Sequence, residues 1–336
     1  MVFGQALAVV GGYLLTRIPP WQLRLTALAW VAARAAAAWP EAPAEALAAL
    51  SVAATCAIAL AAMWAFLRGA KRGGNMVFPV LLGSFIAADV WFHLGVVGLV
   101  PGGAWPGLAL GIGIVVLLVA AMGGRLLSAA ASGAAQKAGK ARIPPRHGLE
   151  RALLASLTAG FVGQAVAAPI LVWAAPLVLA GMFLCGRVAL WAPGLRHASG
   201  DVVALAAGQV WLGIGLLAWI ATLAGPPVAG VSALHVALIG GVGGTLLVMM
   251  MRSAAQREAR AMPRRAAPIV GALMGVAALA RAFGAPDWNG VTVWLWLAAS
   301  AVTAASLFGP GWSQPPVRGT GSRPPGPRRP GSPAPR

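Results

Sequence analysis

Acid is scarce in this sequence. Asp and Glu number 7 against 25 Lys and Arg, and charged residues make up only 10% of the 336. Soluble domains carry about a quarter charged residues, so this shortage excludes an ordinary water-solvated globule. Tyrosine occurs once. Cysteine occurs twice, as Cys56 and Cys185, each inside an apolar run and without a CxxC or Cys–His spacing. That pattern argues against a thiolate metal site and reads as two small core hydrophobes. No Ser–His–Asp order, Walker loop or HExxH motif is present, and no turnover chemistry follows from the residues.

What the chain has in abundance is apolar length. Hydrophobic residues make up 59%, the mean hydropathy is +0.80, and there are 14 tryptophans, a residue that favours the membrane–water boundary. The expected fold class is all-α, a polytopic transmembrane helical bundle with the lipid bilayer as solvent. Eleven apolar segments can be traced, near 2–18, 21–39, 44–67, 76–99, 105–123, 149–167, 169–190, 202–223, 230–251, 266–284 and 289–309. Together they form a transmembrane domain over 1–309. The Pro- and Arg-rich remainder, 310–336, cannot bury a core and is expected to be disordered.

A net charge of +18 and a pI near 12.0 would point to nucleic acid in a soluble chain. Here the charge is topological instead. All 25 Lys and Arg except Arg34 and Arg281 fall towards one set of connections, which includes the stretch GGRLLSAAASGAAQKAGKARIPPRHGLER and the positions Arg187 and Arg196. The alternate connections, WPEAPAE, VPGGAWP, AAPI, AGPPVAG and FGAPDWNG, have none. By the positive-inside rule the basic side is cytoplasmic, the N-terminus faces out and the C-terminus faces in. The expected location is a bacterial inner membrane. The first residues read as part of a helix rather than as a cleavable signal. That run is short for a span, and with the odd span count it suggests a missing first helix.

Topology places the histidines. His93, in IAADVWFHLG, lies about 9 Å below the outer end of its span, and His235, in VSALHVAL, about 8 Å below the outer end of another. His147 and His197 belong to basic connections and are expected to be solvated. Ionisable groups at membrane depth are costly and usually face a functional interior. Imidazole is the commonest metal ligand, and a carboxylate often holds its second nitrogen. Asp89 precedes His93 by one helical turn, so both side chains reach the same face. Two readings of the histidines stay open on spacing alone: ligands to a metal or haem, or interhelical hydrogen-bonding groups. The run Met249–Met251 offers thioether sulfur but points around its helix, which suits core filling. The paired glycines of GGVGG at 240–244 read as helix-packing surface.

Four stretches, in order, resemble the NnrS family of bacterial haem- and copper-containing membrane proteins associated with nitric oxide metabolism and nitrosative stress. They are GGYLLTRIPPW (11–21), NMVFPVLLGSFIAADVWFHL (75–94), MGGRLLS (122–128) and ALHVALIGGVGGTLLVMMMR (233–252). The resemblance implies that His93 and His235 are cofactor-binding or metal-ligating positions for haem or copper, with Asp89 orienting His93 or binding directly. It also explains the abrupt start, because the family has an earlier helix and a histidine-bearing stretch before the point where Met1 stands. The chain departs from the pattern elsewhere. Ala206 stands where the family has His, Gln209 where it has Tyr, Arg257 where it has His, and Ser128 where it has Pro. These departures imply that an inner site is lost and an outer two-histidine site remains. The competing expectations are a cofactor-free degenerate scaffold and a transporter relaying protons or cations through Asp89 and His93.

Overall fold

A computed structural model of the chain describes residues 77–308 apart from 226–229, 258–261 and 285–288, together with 28, 31–32, 43, 45–46 and 49–56. The expected spans 2–18 and 21–39, most of 44–67, and the tail lie outside the described residues. Among the described residues every regular element is helical. The helices are α1 (Val77–Val96), α2 (Trp105–Lys137), α3 (His147–Ala165), α4 (Ile170–Leu195) and α5 (Gly200–Ala221). They continue with α6 (Gly230–His235), a π-helical segment (Val236–Gly243), α7 (Gly244–Arg257), α8 (Ala266–Phe283) and α9 (Asn289–Phe308).

Each of the eight apolar segments traced from residue 76 onward is a helix. Among the described residues six helices are long and apolar enough to cross a membrane: α2, α4, α5, the continuous run through Ser232–Gln256, α8 and α9. Their outward surfaces are apolar, with Leu171, Trp294 and Val276 well exposed. In water such surfaces would be unsatisfactory, whereas lipid solvates them. Large exposed tryptophans recur at one end of the bundle: Trp91 close to the end of α1, Trp105 at the start of α2 and Trp294 near the start of α9. That end holds the connections without Lys or Arg, so the aromatic and basic asymmetries agree.

Successive helices pack side by side in up-and-down fashion, and α5 is the hub. It touches α4, the π segment, α8, α6, α7 and α2, and Leu212, Leu216 and Gln209 on it are fully buried. Small residues permit the close approaches, as expected where lipid removes the hydrophobic drive between helices. A Cβ on Gly215 would lie 2.1 Å from the Ala237 backbone nitrogen, and one on Gly241 would lie 2.6 Å from the Leu212 Cα. Met249 and Met251 fill the core beside these contacts, as their sequence setting implied.

One reading of the connections needs correction. The stretch that follows Gly123 was expected to be loop, yet α2 continues to Lys137 and measures 33 residues, about 50 Å. The segment is rich in alanine, the best helix former, and Leu127, Ala131 and Ala135 bury one face of it. Its end is chemically defined. Gly139 adopts φ +71°, the Gly139 N–H donates to the Gln136 carbonyl, and the Lys140 N–H donates to the Ala135 carbonyl. This is the Schellman pair that closes a helix through a left-handed glycine.

Candidate functional site

Asp89 and His93 stand in the last turns of α1. His93 Nε2 lies 3.9 Å from Asp89 Oδ1, and both side chains are mostly buried, at 16% and 20% exposure. That separation is too long for a direct hydrogen bond. Phe92 sets its ring edge-on to the imidazole at 5.1 Å. Two glycines press neighbouring backbone onto this turn: a Cβ on Gly107 of α2 would lie 2.3 Å from the Phe92 nitrogen, and one on Gly95 would lie 2.1 Å from the Gly103 oxygen. The turn that holds the pair is therefore clamped by backbone on two sides.

His235 ends α6, half-buried, where the α-helical turn widens into the π segment. π-helical turns recur at functional sites because they re-aim side chains. Its neighbours Leu234 and Val236 are buried, and this turn packs on α5 and α8. Among the described residues the main packing partner of α1 is α2. The structure thus brings Asp89 and His93 together, while His235 stands on a helix with different principal neighbours. Among the described residues no group of three or more His, Cys, Asp or Glu is assembled. His147 and His197 are exposed, in keeping with solvated positions. Cys56 and Cys185 are both half-buried free thiols.

A second polar cluster, which sequence reasoning missed, lies at the other end. Arg187 was assigned to a basic connection, but it sits inside α4 and is 0% exposed. Its Nη1 donates to Glu150 Oε2 at 2.9 Å, and its Nη2 donates to the Ala120 carbonyl at 3.0 Å and to the Gln209 side-chain oxygen. The Trp191 ring lies 5.7 Å from the guanidinium carbon, within cation–π range. Four helices converge here: α2 supplies the floor, α3 Glu150, α4 Arg187 and α5 Gln209. The floor is Gly123 and Gly124. A Cβ on Gly123 would lie 2.5 Å from the Gln209 amide nitrogen, and one on Gly124 would lie 2.6 Å from Arg187 Nη1 and 2.8 Å from Glu150 Oε2. The signal available in the sequence was the lone Arg of MFLCGRVALW, a charge flanked by apolar residues on both sides. Nearby, Arg252 of α7 pairs with Asp201 in the first turn of α5.

Apolar lipid-facing helices of spanning length, with partly buried ion pairs between them, define a polytopic α-helical membrane protein. The family model described as NnrS protein matches residues 1–310. The chain belongs to the NnrS family. No curated protein and no solved structure matches it.

Proposed function

We propose that the chain binds haem or copper through His93 and His235 near the outer face of a bacterial inner membrane, and that it moderates nitric oxide or nitrosative stress. The observation that carries this reading is the Asp89–His93 pair: a mostly buried imidazole beside a carboxylate, in a chain of this family. The nitrogen turned towards Asp89 is Nε2, which leaves Nδ1 as the donor atom. A haem could be held by imidazoles alone, whereas copper would take a further ligand from outside this pair. Bound haem would supply an iron able to take up nitric oxide once one of the two imidazoles leaves it; the protein's own part is to hold the imidazoles and exclude bulk water.

The basic connections support a cytoplasmic C-terminus, and reporter fusions at 336 and within 138–146 test that orientation. The test of the function is an optical spectrum of the detergent-purified protein, oxidised and dithionite-reduced, beside His93→Ala and His235→Ala. A Soret band weakened in either variant supports the site. A colourless, folded protein without copper by elemental analysis refutes it in favour of a cofactor-free scaffold. That second reading draws on Ala206 and Gln209, both buried at positions where the resemblance expects His and Tyr.

A further inference from the structure

The Arg187 cluster has more donors than acceptors. Arg187 Nε and Gln209 Nε2 are buried and have no hydrogen-bond partner among the described residues. Both side chains are 0% exposed and are bonded to each other, so the two free N–H groups belong to one small region. Each can only donate. Inside a membrane bundle an unmet donor is costly, and what satisfies a donor is an acceptor.

The local charge indicates which acceptor. The guanidinium is fully buried, whereas the carboxylate facing it, Glu150, is 29% exposed at the rim in the first turn of α3. Water screens the negative member of the pair and leaves the positive one in low dielectric. The connections at this end of the bundle are basic as well: Lys140, Arg142 and Arg146 are exposed between α2 and α3, with Arg196 after α4. Gln209 lies about 13 Å along α5 from its start at that end. The pair Arg252–Asp201 is internally neutralised and adds no net charge.

We propose that Arg187 and Gln209, over the Gly123–Gly124 floor, form a binding site for a small monovalent anion that enters past Glu150 from the basic-loop face. Gln209 stands where the resemblance implies a tyrosine, so the site falls in the region of the inner site whose residues are replaced in this chain. It is separate from the Asp89–His93 turn, which lies at the opposite end of the bundle.

Scintillation-proximity binding of radiolabelled chloride to the purified full chain, in gluconate buffer of fixed ionic strength, tests the proposal. The expected result is saturable binding displaced by unlabelled chloride and bromide. Gln209→Met, which keeps length but removes the donor together with the Oε1 that accepts from Arg187 Nη2, weakens it about tenfold or more, as loss of a hydrogen bond to a charged partner does. Glu150→Gln, which removes the competing carboxylate, tightens it. Absence of saturable chloride in both wild type and Glu150→Gln overturns the proposal and leaves the donors to water. So does unchanged affinity in folded Gln209→Met.

Discussion

Removing either member of the Arg187–Glu150 pair has unequal consequences, and the inequality is set by where each charge is left. Glu150→Ala leaves the guanidinium at 0% exposure without its carboxylate, and a broken buried pair of this kind costs about 3–5 kcal/mol. Arg187→Met leaves a carboxylate that is 29% exposed and that water reaches. The main loss is then the Gln209 amide, 0% exposed and stranded without Arg187, at about 1–3 kcal/mol. The double change Arg187→Met with Gln209→Leu removes both polar groups and is expected within about 1 kcal/mol of wild type, since apolar replacement of buried polar partners is often close to neutral. The assay is reversible SDS titration of the mixed-micelle protein followed by tryptophan fluorescence, in gluconate to keep anion binding out of the comparison. The reasoning is refuted if Arg187→Met costs as much as Glu150→Ala, or if Gln209→Leu fails to rescue it.

Four further outcomes follow from the geometry. Gly124→Ala puts a methyl 2.6 Å from Arg187 Nη1 and should destabilise by about 1–3 kcal/mol in the same titration, and less in an Arg187→Met background. Gly107→Ala forces α2 away from the Phe92 backbone, which is 2.3 Å from the new carbon; any haem spectrum that depends on His93 should shift or weaken while the fold persists by circular dichroism. Asp89→Asn keeps the shape but removes the charge facing His93 Nε2, and should move the reduction potential of a bound haem without abolishing its Soret band; an unchanged potential removes Asp89 from the site. Gly139→Ala must carry a side chain at φ +71°, costing about 1–2 kcal/mol, and should raise amide exchange in the last turns of α2 only.

The helices were legible in the sequence because length and hydropathy alone define a segment that lipid can solvate. The eight segments traced from residue 76 onward all correspond to helices, and alternate basic connections ordered them. Periodicity added little, since the helices are apolar on most faces. The end of α2 was misplaced for a related reason: once its hydrophobicity fell, the composition resembled a loop, although Ala-rich sequence with a glycine stop at Gly139 is also how an extended helix ends. The Asp89–His93 pair was readable from its four-residue spacing, a local fact. Arg187 was not, because its partners Glu150 and Gln209 come from other helices, and Coulomb contact across helices leaves no trace in spacing. The π segment after His235 was equally silent; its glycines suggested close packing, which they provide, but not a wider helical turn.

The scarcity of acid gives a way to rank these clusters. Three of the described carboxylates face a basic partner in the bundle: Asp201 faces Arg252, Glu150 faces Arg187 and Asp89 faces His93. An arginine is never deprotonated in practice and cannot bind a metal, so the first two pairs serve as fixed charge, whether to hold helices together or to attract an ion. Histidine differs on both counts. It can be neutral, and one nitrogen can face a carboxylate while the other offers a lone pair. Only the Asp89–His93 pair among the three therefore has coordination chemistry open to it, and it lies at the end of the bundle away from the basic loops. The division is testable by swapping the bases. His93→Arg should place a fixed positive charge beside Asp89 and keep the helix stable, yet eliminate any cofactor spectrum that depends on this position. Retention of that spectrum in a folded His93→Arg protein would show that Asp89–His93 is a helix-stabilising pair like the other two.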